Sequence, residues 1–504
     1  MKESAIGRRA RRLTEALVAI PSVSPSRRGE GRVVEALARF LSRARLSIEP
    51  PARTTLPDGR RNLVAVARGG GRRAVVLLGH VDTVGVEEFG AAENPFRPRS
   101  LRAPRGFLRG RGVLDMKSGL AAAAVAAAER ARRGGSGSVI VCAVADEENE
   151  SAGVRHAISR LAALRRRFDL VGAINLDYVM RTRRGKIPVY AGTVGKALAG
   201  VLALGLPAHA GDPLRGVDAS LLLAEAIRAI DLDPRLADEG AAPPVALRFG
   251  DLMGRYNVQT PDAAVAFFNC LVTRGGLDAR LDALERALRG AARSAEARLA
   301  SRGVAARVAV ARWSRLRGRG APATPRASRS GDARARAAAA VLAAARAGGV
   351  RAPALVLFLA PPFYPPDDGS RSGPLLDALG RALAAGPRDV AREIEVERFY
   401  PAISDMSFLA LSPLAARSLA AVEREMPIPH GLPVDAMRRL DLPAIDLGPV
   451  GAGAHERGER VETRFAFEVL PRLLGRVVDE ALETKAPPSR GRPRGRGSIA
   501  RVRE

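Results

Sequence analysis

The residues in this chain that could do chemistry lie where apolar runs give way to loops. In "VVLLGHVDTV" (residues 75–84) an apolar, β-branched run ends in His80 and Asp82. Side chains alternate along extended backbone, so these two point the same way. A metal-binding imidazole commonly donates its other N–H to a carboxylate, so one of the pair can bind while the other orients it. "GRGVLDMKSGL" (110–120) sets Asp115 in a Gly-flanked turn before an Ala-rich helix, and "VADEENESAG" places Asp146, Glu147 and Glu148 directly after the run "SVIVCAV". Neighbouring side chains on extended backbone diverge, so one Glu can coordinate a cation while the other faces a substrate water. Asp177 ends the run "INLD", and His455 sits in the Gly-rich "GPVGAGAHERGE". Each feature alone has an ordinary reading: a satisfied histidine, an N-cap, a solvated acidic loop. Together they offer nitrogen and oxygen donors and no thiolate, which suits zinc, cobalt or manganese at a hydrolytic site better than a structural zinc cage.

The elements that must carry these residues alternate. Over residues 1–190, "RRLTEALVAIPSV" and "GRVVEALARFLSRA" have helical spacing, whereas "NLVAVAR", "AVVLLGHV", "SVIVCAVAD" and "LVGAINLD" are short apolar runs. That alternation predicts an α/β layer with a largely parallel central sheet and ligands at the C-terminal strand ends. Residues 191–313 change character, reading strand, helix, two strands, long helix, strand. The order βαββαβ fits an inserted two-layer α+β unit. A Gly/Pro/Ser/Arg-rich linker follows over 314–334, a second part of the α/β domain over 335–484, and a disordered basic tail over 485–504.

Composition bounds the function. The chain has 504 residues, 47% of them hydrophobic, enough for more than one domain. The sequence holds no long apolar run of membrane-spanning type and no leader-like N-terminus, which predicts a cytoplasmic protein without a membrane partner. Cys142 and Cys270 lie inside apolar runs, as buried thiols do in a reducing compartment. The formal charge of +28 invites a nucleic-acid reading. Only five residues are lysine, however, and the chain is swollen in Ala, Gly and Pro, a pattern expected when GC-rich codons drift into permissive positions. Aromatics at 4% offer few stacking platforms, which also argues against nucleic acid as a partner.

The ordered series "GHVDTV", "GRGVLDMKSG", "DEENESAG", "NLDY", "LPAHAG" and "GPVGAGAHERGE" resembles the di-zinc exopeptidase and deacylase family of carboxypeptidase G, aminoacylase and succinyl-diaminopimelate desuccinylase. "YAGTVGKALAG", "YNVQTPDAAVAFFN" and "FYPAISDMSFL" look like its arginine-utilisation branch, that of RocB. The resemblance implies a zinc-exopeptidase-like catalytic domain with the inserted unit as a lid and dimerisation domain. It implies two divalent ions, zinc first and cobalt or manganese as alternatives, one held by His80, Asp115 and Asp177 and the other by Asp115, Glu148 and His455. Asp82 would orient His80, the peptide after Asp115 would be cis, Glu147 would be the general base, and His209 would reach a partner subunit's site in a homodimer. Arg255 and Asn257 are guesses for a group binding the substrate's carboxylate; His156 and His430 match no motif. The implied activity is hydrolysis of an amide or peptide bond in a small substrate such as an N-acyl amino acid, dipeptide or arginine-related amide. The alternatives are a catalytically silent metal-binding relative, whose mark would be a lost ligand or base, and a hydrolase with added polyanion binding through its Arg-rich segments.

Overall fold

The computed structural model describes residues 3–483 apart from 239, 255–256 and 318–331. The first α/β part contains strands β1 (Ser47–Ile48), β2 (Leu63–Ala67), β3 (Gly70–His80), β4 (Ser136–Val144), β5 (Asp169–Asn175) and β6 (Ile187–Thr193). The inserted unit follows with β7 (Gly195–Leu204), β8 (Val245–Asp251), β9 (Ala263–Val272), β10 (Ala309–Arg312) and β11 (Ala354–Tyr364). The chain then returns through β12 (Ile394–Tyr400) and β13 (Ala444–Asp446).

The large sheet has the order β1-β2-β4-β3-β5-β13-β6-β12. It is parallel at β4/β3/β5/β13 and β6/β12, and antiparallel at the β1/β2/β4 edge and at the single β13/β6 contact. Helices cover both faces, which is why its central strands are apolar throughout. One face packs on helices α1 (Ala5–Val18), α2 (Lys117–Arg133) and a C-terminal helix over Leu470–Glu483; the other packs on α3 (Ala152–Leu164). The Ala-rich α2 is buried along nearly its whole length. Its small side chains let it lie close: a Cβ on Gly119 would come within 2.4 Å of the Leu176 carbonyl oxygen.

The lid sheet has the order β8-β9-β7-β11-β10. Helices α4 (Ala219–Ile230) and α5 (Gly276–Ala300) cover one face, in the predicted βαββαβ order. Two features differ from the sequence reading. The run "APALVLFLAPP", assigned to the second part of the α/β domain over 335–484, is β11, which lies between β7 and β10 inside the lid. A strand buried on both faces carries no periodicity that says which sheet it joins. The second face is also covered, by α6 (Ala333–Ala344) and a short helix over Trp313–Arg317, so the lid has a third layer and runs to residue 364. Residues 314–317 of the expected linker are therefore helical; 318–331, and the tail over 485–504, lie outside the described residues, as does Arg255.

The chain crosses between domains twice at one place. Thr193 and Asp367 exchange both backbone hydrogen bonds, at 2.9 and 3.0 Å, tying the outgoing and returning segments together. No helix among the described residues is long and apolar enough to cross a membrane.

Candidate metal centre

His80 is the last residue of β3, on the face of Val76 and Leu78, so the strand's packing fixes where its ring emerges. Its Nε2 lies 2.9 Å from Asp115 Oδ1, and its Nδ1 lies 3.2 Å from the Asp82 carbonyl oxygen and 3.5 Å from the Asp82 carboxylate. With Nδ1–H donated to Asp82, Nε2 is left as the metal-facing nitrogen. Asp82 does more than the sequence suggested. Its two carboxylate oxygens accept the backbone N–H groups of Glu147 (3.2 Å) and Glu148 (3.0 Å), so one buried carboxylate aligns the histidine and the acidic loop together.

Asp115 sits in the turn before α2, followed by a cis peptide to Met116. Glu459 holds this turn by accepting the N–H groups of Leu114 (3.1 Å) and Asp115 (3.3 Å) while ion-paired to buried Arg111. Asp115 Oδ2 lies 3.0 Å from His455 Nε2, so its two oxygens each face a different imidazole. His455 comes from the connection between two antiparallel strands, Val450–Ala452 and Arg460–Glu462, and its Nε2 is also 3.1 Å from Glu148 Oε2. His80, Asp115 and Glu148 each bring one donor atom within 4.8 Å of the others. Asp177 is buried at the same place, its Oδ1 accepting the Tyr178 N–H at 2.9 Å; among the described residues it makes no hydrogen bond to either histidine.

The electrostatics is that of a carboxylate cluster short of cations. Burial pushes Asp177 up to about 7, helped by Asp115 and Glu148, and it raises Glu147 well above the ordinary range alongside Asp405 and Glu148. Burial opposes ionisation of Asp115 too, but the hydrogen bonds from His455 and His80 hold its carboxyl well below the usual range. Hydrogen bonds to Asp115 and Glu148 in turn raise His455 to about 10. Glu148 Oε1 is buried without a hydrogen-bond partner. A buried carboxylate oxygen with no donor, in a nest of oxygen and imidazole donors without thiolate, fits a hard or borderline divalent cation.

Two buried carboxylates were missed. Asp446, at the end of β13, accepts from Asn175 Nδ2 (2.8 Å) and the Asp177 N–H (3.1 Å), and so carries Asp177. Asp405 is buried in the electrostatic reach of His80, Asp82, Asp177 and Glu147. The signal for Asp446 was available, since "LPAID" ends an apolar run in an Asp as "INLD" does. His209 is not part of the cluster: it is exposed on the lid, and its Nδ1 accepts the Gly211 N–H at 3.0 Å. His430 Nδ1 similarly accepts the Leu432 N–H, and His156 lies within α3. Cys142 and Cys270 are buried free thiols.

Such a fold and donor set define a metallohydrolase with a lid. Residues 76–479 match the model of peptidase family M20/M25/M40, and the chain belongs to that family. It is 27% identical over 532 residues to the uncharacterized protein YqjN of Bacillus subtilis (strain 168), with 94% of this chain and 96% of YqjN covered. To protein RocB of the same organism it is 26% identical, covering 94% of this chain and 95% of RocB. Among solved structures it resembles YXEP of Bacillus subtilis, described as a dinuclear metal binding peptidase from the M20 family, with a TM-score of 0.53, 13% identity, and 95% and 99% of the two chains covered.

Proposed function

We propose that the protein hydrolyses an amide or peptide bond of a small substrate, such as an N-acyl amino acid, a dipeptide or an arginine-related amide. Two divalent ions, zinc in first place, would be held by His80, Asp115 and Asp177 and by Asp115, Glu148 and His455. The observation that carries this reading is Asp115, whose two oxygens each face a separate imidazole, with Glu148 on the second. When bound, a pair of divalent ions polarises a carbonyl and makes water acidic near neutral pH. The chain supplies the remaining chemistry. Asp82 fixes the His80 ring and the backbone of Glu147 and Glu148, so base and ligands hold one geometry. Glu147 takes the attacking water's proton at its carboxylate and returns it to the leaving nitrogen; its burial among acids favours the protonated form that this second transfer needs. The arginine-related amide is included because of the likeness to RocB.

The reading extends to a homodimer through the lid, with His209 serving a second copy. Its support is that, among the described residues, the His209 side chain has only the local hydrogen bond from Gly211, while β8 is an edge strand exposing Leu247 and Phe249. A cytoplasmic setting is supported by the two free thiols. The test is a panel of N-acyl amino acids and dipeptides offered to zinc-loaded protein, with Glu147→Gln as the blank. Turnover should fall roughly 10²- to 10⁴-fold in the variant with metal content kept. Silence of the wild type across the panel, or full turnover by Glu147→Gln, overturns the reading.

A further inference from the structure

The loop that presents Glu147 and Glu148 is bounded by two residues in the left-handed backbone region, Asp146 (φ 68°) and Ser151 (φ 51°). Residues other than glycine seldom adopt that region, so contacts from outside must impose the loop's shape. Asp82 grips its middle. Its ends are held by a buried trio of charges, Glu30, Arg60 and Asp146.

Asp146 is the knot. Its Oδ2 accepts the Ala152 N–H at 3.1 Å, where α3 starts; its Oδ1 accepts Asn149 Nδ2 at 3.1 Å, and its carbonyl accepts the Ser151 N–H at 2.6 Å. Glu30 takes the Asp146 N–H at 3.0 Å with one oxygen and the Ser26 N–H at 2.9 Å with the other, which ties the loop to the start of the helix Arg27–Arg43. Two carboxylates that meet in a dry interior repel each other unless a cation joins them. Arg60 is that cation. Its NH1 hydrogen-bonds Asp146 Oδ1 and lies 3.7 Å from Glu30 Oε1, while its Nε donates to Asp58 Oδ2 at 2.7 Å. A lysine could supply the charge but not bonds in both of these directions from one rigid plane. Two residues further on, Asn62 accepts the Ala145 N–H at 3.1 Å and donates to the Gly153 carbonyl at 2.8 Å. The short segment before β2 thus grips the loop at both ends.

Proton transfer by Glu147 needs its carboxylate within hydrogen-bond reach of the attacking water, and Glu148 must meet a cation whose place Asp115 and His455 also set. Both demands are stricter than the demand that the loop merely fold. We infer that Arg60 is a positioning residue for hydrolysis: through Asp146 it fixes the loop of Glu147 and Glu148, so its loss lowers kcat and weakens one of the two bound ions while substrate binding is kept. This rests on the hydrolase reading above, and the metal readout lets the two fail separately.

The test uses Arg60→Ala, which opens room for added ethylguanidinium, and Arg60→Lys, which keeps the charge and loses the fork; thermal midpoints are compared with wild type. In Arg60→Ala, kcat on a panel amide that the wild type cleaves should fall about 10- to 100-fold with KM within about twofold. In a chelator competition on the zinc-loaded protein, the affinity of one ion should fall about tenfold and that of the other should hold. Ethylguanidinium below denaturing concentration should recover most of both losses, and ethylammonium should not. Arg60→Lys, which decides the matter where Arg60→Ala does not fold, should lose kcat about three- to tenfold, again with KM kept. A folded variant with wild-type kcat and both affinities intact assigns Arg60 to stability alone and overturns the inference. So does a loss carried by KM, an equal loss at both ions, or recovery no better with ethylguanidinium than with ethylammonium. A wild type inactive on the whole panel overturns the hydrolase reading and leaves the two zinc affinities to decide Arg60.

Discussion

Around Glu93 carboxylate meets arginine; around Asp177, at the centre of the site, carboxylate meets carboxylate. Glu93 takes both oxygens to Arg109 at 2.9 Å and one to Arg457 at 3.0 Å, and these hydrogen bonds pull it down to about 2. Asp177 is pushed the other way, to about 7, by burial and then by Asp115. The chain has arginine in excess, with a net charge of +28, yet the carboxylates of its candidate metal centre are met by two imidazoles and not by that excess. Positive charge is thus withheld from the one place where carboxylates are most crowded, which is what a site reserved for divalent cations requires.

The largest break in that contrast comes from removing the shared carboxylate. Asp115→Ala takes a donor from both proposed ions at once, so turnover should fall more than about 10³-fold and bound metal, read by elemental analysis, should fall with it. Retention of two metals and most activity would mean that Asp115 does not bridge. Asp82→Asn is a smaller step, because it leaves every ligand in place and weakens only their alignment. Metal affinity should drop about 10- to 100-fold in a chelator competition, and an unchanged affinity would reduce Asp82 to a packing role.

The contrast also sets the sign of pH dependence in metal-free protein. Asp177 and Glu459 bind protons more tightly folded than unfolded, both being raised to about 7, so folding takes up protons and their contribution to stability falls as pH rises from about 4 to about 7. His455, raised to about 10, has the same sign at higher pH: its contribution is present below its unfolded value and lost as pH rises through 10. Glu93 has the opposite sign, its contribution present above about 4.5 and lost as pH falls toward 2. Chelated protein should therefore have a lower thermal midpoint at pH 7.5 than at pH 5.5, and zinc should restore it most at the higher pH, since it binds the deprotonated donors. A chelated midpoint that rises over that interval would show the cluster to be compensated without metal.

Much of this site was legible because strand ends repeat a rule. Apolar runs closing in His80, in the loop from Asp146 and in Asp177 could be found by alternation alone, and the motif order then linked them to the family. What escaped did so for physical reasons. Asp405 follows an irregular stretch, "PAISD", with no strand pattern to mark it as inward-facing, and it lies in a short 3₁₀ turn. Asp82's grip on the Glu147 and Glu148 backbone joins residues 65 and 66 positions apart through hydrogen bonds that no local spacing encodes. The assignment of β11 to the wrong domain has the same root. Both sheets bury their central strands on two faces, and a run such as "APALVLFLAPP" fits either.

The smallest effect is expected at the outer pole of the contrast. Glu93→Gln keeps the side chain's shape but replaces one acceptor oxygen with an NH2 donor, so it gives up part of the hydrogen bonding from Arg109 and Arg457 together with one charge, at a site that solvent still reaches. Exposed ion pairs gain little net free energy, because water already stabilises both partners and ordering long side chains costs entropy. The thermal midpoint at neutral pH should stay within about 1 °C of wild type. The variant should instead lose part of the stability decline seen on acidification below about pH 4, because the group that titrates between its unfolded and folded values is gone. Arg457 lies two residues from His455, so metal binding offers a second reading of the same substitution. If Glu93→Gln lowered metal affinity, the arginine-paired periphery would be steering the His455 loop, and the outer and inner carboxylates would form one electrostatic system and not two.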